Sequence, residues 1–284
     1  MTLAMHRAVV TEYLRGLAGR ELFYYPNPGN AGDALIAAGT KAAFNRAGLA
    51  PTVIDAESDV TGKTVIMGGG GSLLGPQGEF PAALRNFSMQ AKELIILPHT
   101  LRMSPEILDC LRENVTIFVR ELESFRILSG NTTRPTVFLA PDMAFHVDVQ
   151  EFLADPAVAG PGRRWFDAML KHHGIKFGPI MEAPRAYFAR TDWEKRADIG
   201  GSDFDASDVF AFGIWGERGA ASAWCLLNAV RLVQAVTTDR LHVGIAAALL
   251  GKDCELHDNI YGKNRNIFEY SMKFHFSNIN LVSA

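Results

Sequence analysis

Two basic side chains that could act on an anion, Arg240 and His242, stand two residues apart in the stretch VTTDRLHVGIAAALLGK. A predicted strand ends at 237–238 and a helix over 239–250 follows, with Asp239 as its expected N-cap. An arginine in a first helical turn opposes the helix dipole, so anion binding explains it better than stability does. The imidazole of His242 can supply or accept a proton near neutral pH. The pattern predicts that both residues are catalytic.

A second strand–helix junction lies in FYYPNPGNAGDALIAAG, where turn-forming residues precede an Ala-rich helix over 33–47. The N–H groups at a helix start are unpaired and attract anions. We therefore expect Asn30 and Gly32 to contact substrate. Asp33 is either a catalytic base or the N-cap of the helix, and the sequence leaves both interpretations open.

Four consecutive glycines, residues 68–71, follow a predicted strand over 64–67. Their spacing does not fit the GxGxxG dinucleotide fingerprint, and TGKT at 61–64 lacks the first glycine of a phosphate loop. Backbone without Cβ atoms can approach a phosphate or a sugar closely. Gly69, Gly70 and Gly71 are therefore candidate substrate contacts, with a simple tight turn as the alternative.

Three more side chains end or follow predicted strands, where α/β proteins bind their ligands. Arg120 either binds an anion or pairs with Glu123 in the next helix. Arg190 ends a later strand in the same way, and His99 follows the apolar run ELIILP as a weaker candidate for substrate binding.

Short apolar strands alternate with helical patterns along the whole chain, which predicts an α/β fold with parallel sheets. The simplest architecture is two Rossmann-like domains facing a cleft, over 1–150 and 151–284, with a final helix free to pack back on the first domain. The Pro- and Gly-bearing stretch 142–164 is the expected irregular connection, and 208–211 is expected to be a strand. The segments NPGNAGD, GGGGS, PHTLR and TDRLH are expected to line one cleft.

Composition excludes several classes of function. The 284 residues carry a formal net charge of -3, so no basic surface for nucleic acid is expected. The three cysteines lack metal-ligand spacing, and we expect no metal and no cofactor. No apolar run reaches the roughly 20 residues of a membrane span, and no signal peptide is visible, so we expect a cytoplasmic protein, with peripheral membrane contact left open.

Five stretches taken together resemble the polysaccharide pyruvyl transferase family: PNPGNAGDALI, GGGGSLL, FVRELESFRIL, APDMAF and TTDRLHVGIAAALLG. The resemblance implies a GT-B-like fold and phosphoenolpyruvate as donor substrate. It further implies transfer of the pyruvyl group to two hydroxyls of a sugar in an exopolysaccharide or its precursor, forming a cyclic ketal and releasing phosphate. The acceptor sugar is then free, nucleotide-linked or lipid-linked.

The resemblance also implies roles for particular residues. Arg240 would bind the anionic groups of the donor and His242 would be the acid, with either Arg120 or Arg190 as the second donor-binding arginine. Asp33 is the candidate base for a sugar hydroxyl, and Glu123 is the alternative.

Two other functions fit the same architecture. A GT-B glycosyltransferase would use the helix start at Arg240 to hold the diphosphate of a nucleotide sugar. A non-catalytic protein that binds a sugar or an anion would retain the same cleft. Fold alone does not choose among the three.

Overall fold

A computed structural model describes residues 2–131, 134–192, 194–195 and 199–282. Grouped by their contacts, the residues form two units. The first comprises Met1–Pro28 and Gly39–His146, and the second comprises Gly29–Ala38 and Val147–Ala284. The predicted domain boundary at residue 150 stays a prediction.

The first unit contains a sheet of parallel strands. In the described residues these are β1 (Phe23–Tyr25), β2 (Thr52–Val53), β3 (Thr64–Met67), β4 (Gly70–Leu73), β5 (Glu93–Leu101), β6 (Val115–Val119) and β7 (Thr136–Leu139). Their order is β2-β1-β3-β5-β6-β7, and β4 also pairs with β5. The long apolar run of β5 is buried from Leu94 onwards, as expected of a central parallel strand that is covered on both faces.

Helices of the first unit connect these strands. They are α1 (Leu3–Arg15), α2 (Ala31–Ala47), α3 (Glu79–Gln90), α4 (Pro105–Cys110) and α5 (Leu122–Asn131), and a 3-10 turn over Met143–His146 follows β7. The first residues of α2, up to Ala38, group with the second unit.

The second unit contains a parallel sheet of order β11-β10-β9-β8. Its strands are β8 (Ala186–Phe188), β9 (Ala235–Thr238), β10 (Asp253–His257) and β11 (Ile279–Val282). Its helices are α6 (Val149–Ala154), α7 (Pro156–His172), α8 (Phe177–Glu182), α9 (Ala206–Val209), α10 (Gly216–Leu232), α11 (Leu241–Leu250) and α12 (Lys263–Ile267), and a π-helical turn covers Phe268–Met272. The mixed α/β fold with parallel sheets is therefore as predicted.

The stretch 142–164, expected to be irregular, is largely helical, so that prediction was wrong. Pro156 occupies the first turn of α7, where proline is tolerated because its missing N–H would be unpaired anyway. Gly162 serves close packing rather than a turn, since a Cβ there would lie 2.4 Å from the ring of Trp224. Composition alone does not separate these uses of proline and glycine.

This contact between α7 and α10 gives a testable prediction. Gly162→Ala is expected to destabilise the protein by about 1–3 kcal/mol, because the added methyl group forces the buried Trp224 ring to move. Gly160→Ala, two residues earlier in the same helix, is the matched control. Its Cβ would meet only the end of the Arg164 side chain at 3.9 Å, and alanine favours a helix over glycine by roughly 0.5–1 kcal/mol. Urea unfolding followed by tryptophan fluorescence measures both, and equal stabilities would contradict the prediction.

The expected strand at 208–211 was also wrong, because α9 forms there. Asp205 precedes α9 and its side chain accepts hydrogen bonds from the backbone N–H groups of Ser207 and Asp208, which is N-capping. Among the described residues, none of the helices combines the length and the apolar character needed to cross a bilayer.

Candidate functional site

The first turn of α2 lies against His242, the second residue of α11. Asn30 Oδ1 accepts a hydrogen bond from Gly32 N at 2.8 Å, and Asp33 Oδ2 accepts one from Asn30 N at 3.0 Å. This reciprocal pair is a capping box, so Asp33 supports the helix start without being its N-cap. A Cβ on Gly32 would lie 2.4 Å from His242 Nδ1. The absence of a side chain at residue 32 therefore lets the imidazole approach the helix start.

Arg240, and not Asp239, is the N-cap residue of α11. The expected N-cap role of Asp239 was wrong, because Asp239 Oδ1 instead accepts a hydrogen bond from Arg190 N at 2.8 Å. Arg240 N donates to Thr238 Oγ1 at 3.0 Å, which turns the chain at the end of β9. The arginine side chain is only 5% exposed.

The guanidinium of Arg240 is held by three carboxylates. Asp205 binds it in a two-point arrangement through Nε, at 2.9 Å, and through Nη2. Asp192 Oδ2 lies 3.0 Å from Nη1, and Asp208 Oδ1 lies 3.3 Å from Nη2. Burial alone would lower the pKa of Arg240, but the hydrogen bonds and charge of Asp205 outweigh it and raise that pKa. Arg240 is therefore a permanently charged group whose position is fixed by three carboxylates.

Arg190 shares Asp192 with Arg240. Its Nε and Nη2 lie 2.9 and 3.0 Å from the two Asp192 oxygens, and Nη2 also lies 3.0 Å from Glu194 Oε2. Lys263 Nζ is 3.1 Å from the same Glu194 oxygen. Three cations therefore meet two carboxylates that stand close together in the chain, at 192 and 194.

The pKa values of these two carboxyl groups follow from their partners. Burial alone would raise the pKa of Asp192, but the hydrogen bond from Arg190 and the charge of Arg240 lower it below its ordinary value. For Glu194, burial is likewise outweighed by Lys263 and Arg190, and its pKa is lowered. Both groups are anions at neutral pH.

The glycine segment and His99 meet in the first unit. Gly70 pairs with His99 in the sheet, and Ser72 N donates to His99 Nε2 at 3.0 Å. His99 is fully buried and stacks on the Phe80 ring. Burial and the nearby charge of Arg120 lower its pKa to about 3, so the imidazole is neutral. Gly70 lies in β4 and therefore belongs to the sheet, not to a bare turn.

Arg120 pairs with Asp142 and not with Glu123. Its Nη1 donates to Asp142 Oδ2, and its Nε donates to Thr100 Oγ1 at 2.8 Å. Glu123 is exposed in the first turn of α5. A Cβ on Gly71 would lie 3.0 Å from Arg120 Nη2, so the missing side chain leaves room for the guanidinium.

Contacts join the four predicted segments within each unit. Asn27 and Pro28 of NPGNAGD belong to the first unit, where Ser72 Oγ of GGGGS donates to Asn27 Oδ1 at 2.8 Å. NPGNAGD lies beside TDRLH through Gly32 and His242, while GGGGS lies beside PHTLR through Ser72 and His99. That all four line one cleft stays a prediction. Within the described residues, no group of three or more His, Cys, Asp or Glu side chains is arranged to hold a metal ion.

Most of the chain matches the model of a known protein family. Residues 30–254, well over half of the chain, match the family model of polysaccharide pyruvyl transferase. The chain belongs to the polysaccharide pyruvyl transferase family. The matched range begins at Asn30, in the turn beside His242, and includes Arg120, Arg190 and Arg240.

A solved structure resembles this member of the pyruvyl transferase family in fold. It is the crystal structure of a functionally uncharacterised protein from Klebsiella pneumoniae subsp. pneumoniae NTUH-K2044, with a TM-score of 0.75 and 25% identity. The alignment covers 100% of both chains. Among curated proteins, none matches the chain.

Sequence reasoning missed the acidic and lysine partners of the candidate residues: Asp142, Asp192, Glu194, Asp205 and Lys263. Asp142 stands in the motif APDMAF, which was a usable signal. Asp205 precedes Ala-Ser-Asp, a typical helix start, and recognising the N-cap would have found it. For the other three the sequence carries no comparable signal.

Proposed function

We propose that this protein transfers the pyruvyl group of phosphoenolpyruvate to two hydroxyls of a sugar in an exopolysaccharide or its precursor, forming a cyclic ketal and releasing phosphate. The observation that carries the proposal is the junction of Gly32, Arg240 and His242, which combines a helix start, a fixed cation and an imidazole within the range of the family match. A GT-B-like arrangement of two Rossmann-like domains is part of the proposal.

The donor carries a carboxylate and a phosphate, and both need cationic partners. Arg240 is proposed as the first partner. Arg190 is favoured over Arg120 as the second, because the carboxylate of Asp192 already contacts Arg190 and Arg240 at once. Arg120 is 1% exposed and engaged by Asp142.

His242 is proposed to protonate the methylene carbon of the donor, which leaves cationic character on the neighbouring carbon. One sugar hydroxyl then adds to that carbon and loses its proton to a base. Phosphate then leaves and takes up the proton that the base had accepted. The second hydroxyl closes the ring at the same carbon and loses its proton to His242, which restores the imidazolium. Asp33, in the first turn of α2 next to Gly32, is the proposed base, with Glu123 as the alternative.

The acceptor, whether free, nucleotide-linked or lipid-linked, and a cytoplasmic location are parts of this proposal that rest on the family. Asn30, Gly32 and residues 69–71, together with His99, are proposed to shape the substrate sites. Gly71 and His99 would do so indirectly, through Arg120 and Ser72.

Thermal unfolding combined with a phosphate-release assay tests the proposal. Phosphoenolpyruvate at 100 times its Kd is expected to stabilise the protein by about 2.7 kcal/mol, which raises the melting temperature. Inorganic phosphate is expected to appear only when phosphoenolpyruvate and a suitable sugar are both present. The acceptor panel contains free sugars, nucleotide sugars and lipid-linked sugars.

Each contrary result identifies a rival function. Stabilisation by nucleotide sugars without stabilisation by phosphoenolpyruvate would favour a glycosyltransferase. Binding of phosphoenolpyruvate without phosphate release across the whole panel would favour a non-catalytic binding protein.

A further inference from the structure

In the second unit, the carboxylate of Asp192 lies between the guanidinium groups of Arg190 and Arg240. Asp192 presents Oδ1 to Arg190 Nε at 2.9 Å, and Oδ2 to Arg190 Nη2 and Arg240 Nη1 at 3.0 Å each. Both arginine side chains are almost completely buried, at 6% and 5% exposed. A planar carboxylate held by two guanidinium groups has the geometry with which proteins bind a carboxylate or phosphate ligand.

Asp192 differs from the other main partner of Arg240 in how firmly it is held. Asp205 is 3% exposed and also accepts hydrogen bonds from the backbone N–H groups of Thr191, Ser207 and Asp208, so it belongs to the framework. The Asp192 side chain is 32% exposed. From the backbone it accepts a hydrogen bond from Glu194 N at 3.0 Å. The Asp192 side chain is therefore in contact with solvent, whereas that of Asp205 is almost completely buried.

Glu194 fixes the chain next to Asp192. Its Oε2 accepts hydrogen bonds from Asn259 Nδ2 at 3.1 Å, Tyr261 OH at 2.7 Å and Lys263 Nζ at 3.1 Å. Glu194 therefore anchors the segment, whereas the neighbouring Asp192 side chain is partly exposed.

We propose that Asp192 is an internal competitor of the donor: its carboxylate occupies the anion position between Arg190 and Arg240, and a ligand binds there by displacing it. The inference rests on the proposed function only in taking the donor as the natural ligand of this arginine pair. It makes Asp192 a residue that sets specificity. A ligand with two anionic groups replaces the lost charge of Asp192 and adds a further contact, whereas a single carboxylate only exchanges one anion for another.

The test compares Asp192→Asn with Asp208→Asn, using inorganic phosphate and phosphoenolpyruvate as probes in calorimetric titrations. Asp208 is the matched control, because its carboxylate contacts the same guanidinium at 3.3 Å but is 50% exposed and contacts Nη2, whereas Asp192 contacts Nη1. Asp192→Asn is expected to bind phosphate about tenfold more tightly than wild type, since it removes a charge-assisted partner of both arginines. Asp208→Asn is expected to change the affinity by about twofold, as for an exposed ion pair.

The size of the phosphate-induced shift in melting temperature separates competition from a structural role, which would only lower the melting temperature. Competition predicts that Asp192→Asn melts lower than wild type without phosphate and gains a larger shift when phosphate is added. Phosphate affinity equal to or weaker than that of Asp208→Asn would overturn the inference. Should Asp192→Asn fail to fold, Asp192→Ser gives the same comparison with a smaller side chain.

The outcome for the proposed function is separate. Tighter phosphate binding by Asp192→Asn supports the inference even if phosphoenolpyruvate yields no product, in which case only the proposed transfer fails. Normal product formation together with unchanged phosphate affinity in Asp192→Asn supports the transfer and overturns the inference.

Discussion

Replacing His242 by Asn is expected to lower the rate of pyruvyl transfer by about 10²–10⁴-fold, the usual contribution of a positioned acid–base group. The imidazole is held at the second position of α11 against the backbone of Gly32, where no side chain intervenes. Asparagine keeps a polar side chain at this position but cannot protonate the donor carbon. Phosphate release from phosphoenolpyruvate in the presence of the acceptor measures the loss.

Two control measurements show whether the loss of rate comes from proton transfer. The shift in melting temperature caused by phosphoenolpyruvate is expected to persist in His242→Asn, because Arg240 and Arg190 remain. His172→Asn, a change at an exposed histidine in the last turn of α7, is expected to leave the rate unchanged. A His242→Asn variant that keeps full turnover would rule out the acid role.

The parts of the fold that local chemistry determines were predicted from the sequence. The strand over 64–67 is confirmed as β3, because its four residues are too few for a typical helix and are rich in β-branched side chains. Gly251 is confirmed as the end of α11, since its φ of 66° lies in the left-handed region that glycine adopts without strain.

Other parts of the fold depend on contacts that local pattern does not contain. Gly162 is typical of a turn in the sequence, yet it lies within α7. Glycine fits there because the ring of Trp224, far along the chain, occupies the space of a side chain. The strand expected at 208–211 is replaced by α9, because the side chain of Asp205 caps a helix there.

In the candidate site, too, the features set by neighbouring residues were predicted and those set by distant contacts were not. Arg240 and His242 were found because their neighbours in the chain form a strand–helix junction. The partners of the arginines could not be found in this way, since Asp205 precedes Arg240 by 35 residues and Asp142 follows Arg120 by 22. In the sequence, an arginine at the end of a strand has no visible partner and is easily assigned to substrate binding. In the folded chain, Arg120 and Arg240 each form an ion pair with a carboxylate.

The strength of that pairing gives the largest expected change in stability. Asp205→Ala is expected to lower the free energy of unfolding by about 3–5 kcal/mol, the usual cost of removing one partner of a buried ion pair. Arg240 is 5% exposed and would lose its two-point partner, keeping only the contacts with Asp192 and Asp208. The loss of the cap on α9 adds about 1 kcal/mol. Urea unfolding followed by circular dichroism measures the change.

Asp208→Ala is the matched control, because Asp208 contacts the same guanidinium from a half-exposed position. Burial and the charge of Asp205 raise the pKa of Asp208, although the charge of Arg240 acts in the opposite direction. Because the ion pair of Asp208 is half-exposed to solvent, its loss is expected to cost no more than about 1 kcal/mol. Replacing both partners, as Asp205→Ala with Arg240→Met, is expected to recover stability relative to Asp205→Ala alone, because the buried guanidinium that lost its two-point partner is then removed as well. If the double variant were less stable than Asp205→Ala, the cost would come from the helix cap and the packing, and Asp205 would not be the residue that fixes Arg240.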